Sequence, residues 1–407
     1  MTLLSTGADD AQLAAAFRPI FARIADGAVS RELSRTLPVE PIRWLKEAGF
    51  GTLRIPKEKG GWGASLPQLV TLLAELAAAD SNIPQALRGH FAFVEDRLNQ
   101  PDSPDRDRWF RRFLDGELVG NGWTETGGVK LGEVLTRLTP QAEDWRLDGE
   151  KFYSTGALYA DWIDVFARRN DTQQDVIALV STRQDAVERL DDWDGFGQRL
   201  TGSGTTRFTQ ARVERAHVYD FATRFRYQTA FYQHVLLATL VGIGLAVERD
   251  AAEGVKKRTR MYSHGNAAVS RDDPQVLQVV GEISSWAQAV KATALQAARA
   301  LQLAYEAHAG ADEARLAQLN EVAEIESARA QVVASELIPR AATALFSALG
   351  ASDTRTGKAL DRHWRNARTV ASHNPVIYKA RNVGGWLVNG TPPTFKWRIG
   401  EGEQSGK

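Results

Sequence analysis

With 407 residues and 50 Lys plus Arg against 50 Asp plus Glu, the chain is too large for one simple core and carries no formal net charge. That balance excludes a global field for nucleic acid or an anionic membrane, so any binding must come from a local site. The absence of cysteine excludes disulfides, thiolate nucleophiles and sulfur-ligated metal centres, and it fits a reducing, cytoplasmic setting.

The N-terminal MTLLSTGADDAQ has neither a basic start nor a long apolar run, and no membrane segment is expected. From Asp9 to about Leu114, apolar residues recur at three- and four-residue spacing, as in LPQLVTLLAELAAAD, which predicts helices. The breaker-rich RIPKEKGGWGAS, with Pro56, Gly60, Gly61 and Gly63, predicts a loop among them. From Glu117 to about Val218 the character changes to short β-branched and aromatic runs: WRLDGEKFYSTG, WIDVFARR, DVIALVST and GTTRFTQARV. Asp-Gly and Gly-rich turns are expected to separate them into the strands of a compact β unit. After Ala222 long helical periods return, notably from Pro274 to Gly310 and from Ala314 to Gly350, and predict antiparallel bundle helices. The expected division is a helical domain over 1–116, a β domain over 117–221 and a helical bundle with a charged tail over 222–407, an α+β arrangement.

Common catalytic signatures are missing. GIG at 242–244 follows no strand and reads as close helix packing at small residues. There is no phosphate loop, no HExxH and no GxSxG elbow, and the seven histidines include no i, i+4 pair, so no metal site is expected.

Three stretches of the β unit carry more information: NGWTETGG at 121–128, GEKFYSTGALYADWIDV at 149–165 and WDGFGQRLTGSGTTRF at 193–208. With the IPKEKGGWG loop and the helix–β–helix order, they resemble the acyl-CoA dehydrogenase superfamily over nearly the whole chain. That resemblance implies an N-terminal helical domain, a middle β-barrel-like domain and a C-terminal four-helix bundle, with a flavin between the last two. DRHWRNARTVASHNPVIYKARNVGGWLVNGTPP, ending at Pro393, resembles the tail of one branch, the reduced-flavin-dependent monooxygenases of the dibenzothiophene and sulfur-acquisition type. Where a dehydrogenase usually carries a glutamate base, this chain has Ser372, His373, Asn374 and Pro375. Taking an α-proton from a thioester needs a carboxylate there, and an imidazole suits a different task.

The resemblance implies a two-component enzyme that takes reduced FMN from a separate NAD(P)H-dependent reductase and uses O2, through a C4a-hydroperoxyflavin, to oxygenate a small organosulfur or other heteroatom compound. It places His373 as the donor to the peroxide, His90 as a second active-site histidine and the Thr155 hydroxyl at flavin N5. Tyr153, Asn121, Trp123 and Thr124 then contact the flavin, and Arg260 reaches its phosphate, often across a subunit interface. Arg365 and Arg368 are further phosphate or interface candidates, and Phe231, Tyr232 and Leu236 are expected on the apolar substrate wall. Plainer readings stand beside these: a helix-terminal cap for His373, a satisfied core histidine for His90, strand propensity for Thr155 and surface ion pairs for Arg365 and Arg368. Apolar residues on more than one face of the long helices, together with the resemblance, imply a homotetramer. The competing functions are an FAD-dependent acyl-CoA dehydrogenase and a helical scaffold without catalysis.

Overall fold

The computed structural model describes residues 7–395 apart from 127–129, 131, 261, 309 and 311. Gly127 and Gly128 of the NGWTETGG stretch therefore lie outside the described residues. Helices come first: α1 (Asp10–Asp26), α2 (Ala28–Ser34), α3 (Val39–Glu47), α4 (Leu66–Ala79), α5 (Asn82–Ala86), α6 (Arg88–Leu98) and α7 (Pro104–Leu114). Helix α4 starts where Ser65 and Gln68 form a reciprocal capping box, which satisfies donors that the first turn leaves open. In the loop before it, a side chain at Gly61 would run into the Ile55 carbonyl, so that chain reversal requires glycine.

The strands follow as β1 (Val119–Gly122), β2 (Arg137–Gln141), β3 (Asp144–Lys151), β4 (Trp162–Arg169), β5 (Asp175–Ser181), β6 (Val187–Arg189), β7 (Thr206–Glu214) and β8 (Val218–Asp220). They form one sheet in the order β6-β7-β3-β2-β4-β5-β8, with β1 added in parallel beside β4. The sheet curls so that β5 touches β7 across its interior. Alternation along β5 explains why both of its faces are apolar. Val176, Ala178 and Val180 join Leu147, Ile163, Val165 and Phe208 inside the sheet, while Ile177 and Leu179 meet Phe93, Trp109 and Phe113 of α6 and α7. Asp148-Gly149 lies within β3 as a register shift, because Gly149 passes over Thr136 too closely to carry a side chain.

The remaining helices are α8 (Gln228–Lys257), α9 (Pro274–His308), α10 (Glu313–Leu349), α11 (Asp361–Ala371) and α12 (Val376–Asn389). Helix α8 is long and apolar enough to cross a membrane, yet it is buried between α4, α9 and α10, which accounts for its composition. The GIG stretch does what small residues suit. A Cβ at Gly242 would strike Ala77 of α4, and one at Gly244 would lie 2.7 Å from Ile338 of α10. Leu73, Leu236, Leu301 and Ile338 belong to one continuous core, so the N-terminal helices and the bundle share their interior.

Candidate functional site

Helix α6 meets strand β1 at Gly89, where a Cβ would lie 3.0 Å from the Asn121 nitrogen. This close approach sets two neighbouring residues on the junction. His90 lies beneath it, 1% exposed, with Nε2–H donating to the Gly51 carbonyl at 2.9 Å and Nδ1 accepting from the Val119 N–H at 3.3 Å. Burial pushes its pKa down to about 4. Both nitrogens are thus committed to backbone, and the ring expected as a second active-site histidine ties β1 to α6.

Asn121 donates its backbone N–H to the Thr155 carbonyl at 3.3 Å, while its buried side-chain Oδ1 has no partner. The segment facing it is bridged to Thr124, whose carbonyl accepts from Phe152 N–H at 2.9 Å. Tyr153 follows with φ of 56°, a left-handed conformation uncommon for a bulky residue, and its half-exposed ring stands edge-on to Trp193 at 5.8 Å. The Thr155 hydroxyl contacts Ser203 Oγ at 2.9 Å, and Ser203 contacts Thr201 Oγ1 at 2.7 Å, giving a buried chain of hydroxyls. Trp123 donates its indole N–H to Asp164 at 2.8 Å and meets the Tyr232 ring edge-on at 5.5 Å. Asn121, Trp123, Thr124, Tyr153 and Thr155 are therefore brought together.

His373 lies just beyond α11. The residue as a whole is exposed, while loss of hydration around the imidazole, aided by the charge of Arg88, pushes its pKa down to about 3. The imidazole is neutral near pH 7. Its Nδ1 faces Asn374 Oδ1 at 3.4 Å, and Asn374 is oriented in turn by donating to Gln233 Oε1 at 2.7 Å. Of the expected substrate wall, Phe231 and Leu236 are buried in the common core, and only Tyr232 is partly exposed.

The arginines divide. Arg365 donates to Asp361 at 2.8 Å, to Glu32 at 2.7 Å and to the Phe196 carbonyl at 2.9 Å, so in this chain its guanidinium ties elements together. Arg368 is exposed on the same helix. Arg260 is exposed in the loop after α8, and its carbonyl accepts from Ser270 at 3.4 Å. None of its described contacts joins it to the cluster in its own chain.

Sequence reasoning passed over Arg88, Ser203 and Gln233, and named Asn374 without giving it a role. Arg88 stands in ALRGHFAFVED, a stretch noted for its histidine, and the signal was a lone cation on an apolar turn. A groove of about 540 Å³ between α3 and the Leu158–Tyr159 segment contains none of the expected site residues.

Residues 234–377 match the family described as acyl-CoA dehydrogenase, C-terminal domain. The fold superposes on FMN-bound TdsC from Paenibacillus sp. A11-2 with a TM-score of 0.83 and 26% identity, covering 93% of this chain and 98% of that one. The fold is acyl-CoA dehydrogenase-like, and the family match falls on its C-terminal part. The chain is 26% identical to a dibenzothiophene monooxygenase of Mycolicibacterium goodii over 89% of its own length and 90% of the relative's. It is 27% identical to the probable FMNH2-dependent monooxygenase SfnC of Pseudomonas putida over 92% and 94%. This acyl-CoA dehydrogenase fold has a C-terminal helical part, and at position 373 it holds an imidazole.

The residues present fit a flavin. An aromatic ring held half-exposed, a buried amide oxygen without a partner and a buried hydroxyl chain converge where β1 meets the Phe152–Gly156 segment. Those groups suit a flat heterocycle with a polar edge.

Proposed function

We propose that the chain is a two-component monooxygenase that uses reduced FMN and O2 to oxygenate a small organosulfur or other heteroatom compound. The observation that carries this reading is the neutral imidazole of His373, an exposed residue oriented through Asn374 and Gln233, where a dehydrogenase needs a carboxylate base. When bound, reduced flavin supplies the electrons that let one oxygen atom of O2 pass to the substrate and the other leave as water. The chain's own residues do the rest. Asn121, Tyr153 and Thr155 would hold the ring, Trp123 and Thr124 would support that wall, and the aromatic surroundings would limit water. His373 would hold or move a proton beside the reacting atom.

A separate NAD(P)H-dependent reductase would deliver FMNH2, either directly or by diffusion, which places the chain in the cytoplasm with that reductant. Arg260 would reach the phosphate of an FMN in a neighbouring subunit of a homotetramer. Exposed side chains on the C-terminal elements support self-association: Trp364, Ile377, Leu387 and Val388.

The test is stopped-flow mixing of the protein and FMNH2 with aerated buffer. A transient absorbance distinct from reduced and oxidised FMN is expected. Oxidation at the protein-free rate, or a tightly retained FAD after purification, would defeat the reading.

A further inference from the structure

Arg88 is left without a counterion by folding. It is 7% exposed, its Nε is buried without a hydrogen-bond partner, and among the described residues no carboxylate or carbonyl accepts from it. Its one ring contact is Tyr232, whose centroid lies 5.3 Å from the guanidinium carbon. Nearby carboxylates on its own helix are committed elsewhere, Glu95 to Arg54 at 2.9 Å and Asp96 to Arg97 at 2.6 Å. Asp164, under the Trp123 wall, is committed to Arg224 at 3.1 Å. A buried cation without a partner costs stability, and proteins normally pair it.

Three features place this cation in the site. Its chain neighbour Gly89 seats Asn121, whose Oδ1 is likewise a buried polar atom without a partner. Tyr232, which it faces, is the partly exposed aromatic residue of the expected substrate wall. Its charge is felt by His373. The guanidinium fork matches the two oxygens of a planar or pyramidal oxyanion, and an oxyanion held beside it would restore the missing pairing.

We propose that Arg88 recognises the anionic head of the substrate, so that this enzyme acts on a small anionic organosulfur compound, a sulfinate or a thioether bearing a sulfonate or carboxylate, rather than on a neutral polycyclic thiophene. The inference deepens the monooxygenase reading and rests on it only for what happens after binding. A neutral thiophene offers this guanidinium no acceptor and would leave it unpaired in the complex.

The test is a calorimetric titration of the full-length protein, with oxidised FMN present, against ethanesulfinate, ethanesulfonate and propionate, with diethyl sulfone and dibenzothiophene as neutral probes. At least one anion should bind wild type tenfold or more tighter than either neutral probe. Arg88→Met should lose that preference while keeping its FMN affinity and a melting temperature at or above wild type, and Arg88→Lys should retain part of it. Three results would overturn the proposal: no preference for anions in wild type, unchanged anion binding in Arg88→Met, or FMN binding weakened as much as anion binding. Should Arg88→Met fail to fold, Arg88→Lys and the wild-type preference still decide. Because no turnover is involved, loss of the anion preference is distinguishable from failure of the monooxygenase reading, which the FMNH2 reaction tests separately.

Discussion

At the scale of single residues, what separates the histidines is whether a ring nitrogen is left to act. His90 has none, whereas His373 makes one long contact to Asn374 and is an exposed residue. His373→Ala should therefore fold normally and still consume reduced flavin, but release peroxide with little oxygenated product. Comparing peroxide with product per flavin oxidised checks this, and unchanged coupling would remove His373 from the mechanism. Three other histidines report on stability. His90, His217 and His363 are buried, and burial, with Arg112 beside His217 and Arg362 beside His363, pushes each to about 4. The unfolded chain accepts these protons near pH 6.5 and the folded chain refuses them until about pH 4, so acid favours unfolding. Stability should be complete above pH 6.5 and fall through the window below it, with a slope approaching about 4 kcal/mol per pH unit if all three titrate together. Urea denaturation at pH 8, 7, 6 and 5 measures the slope, and a constant free energy between pH 7 and 5 would mean that these rings take up protons as readily in the fold as in the unfolded chain.

At the scale of elements, the long helices were legible because their apolar period continues for many turns, and α9 and α10 end within two residues of the expected glycines. The bulge at Asp148-Gly149 was not legible, because the same dipeptide also makes turns and only the neighbouring Thr136 decides between them. The dense polar tail was legible as ordered structure, but its chemistry divided in a way that spacing could not show. Helix α11 spends Arg365 on Glu32 and Asp361, His363 on Asp250, and Asn366 on the loop that leads to Ser203. Asn366 accepts from Gln198 N–H at 2.6 Å and donates to Ser81 at 3.0 Å, stitching α11, that loop and α5 together. Partners so distant in sequence leave no local pattern. Asn366→Leu would strand a buried N–H and should cost about 1–3 kcal/mol, with weaker FMN binding as the loop loosens. Asn366→Asp keeps the acceptor and should lose less. Denaturant unfolding and FMN titration of both variants check the order, and two equal losses would mean that the acceptor is irrelevant.

At the scale of the whole molecule, the question is what covers the C-terminal helices. The second face of α9, expected to need a partner, exposes less than anticipated: Ile283 and Val290 are buried, and Trp286 is covered by Arg340. The larger apolar exposure is on α12, where Ile377 and Val388 are 70% and 82% exposed, while Lys379 on the inner side pairs with buried Glu324 at 3.2 Å. A helix anchored by one buried ion pair and apolar outward is made to meet another surface, and a second copy of the chain is the commonest one. Light scattering should therefore find a tetramer, and a monomer at micromolar concentration would require each chain to complete its own flavin pocket. Deleting the chain from Asn374 onward should impair both assembly and flavin retention, but it also strands Glu324, so loss of fold could mimic loss of contact. Charging the outer face alone, with Leu387→Asp and Val388→Asp, leaves the Lys379–Glu324 pair in place. That variant should keep its helical circular dichroism, dissociate and lose FMN affinity. Arg260→Ala, which leaves α12 untouched, should weaken FMN by roughly 1.5–3 kcal/mol while the tetramer persists. If the charged variant dissociates yet binds FMN as tightly as wild type, Arg260 cannot be reaching the cofactor of a neighbour, and the flavin site is complete within one chain.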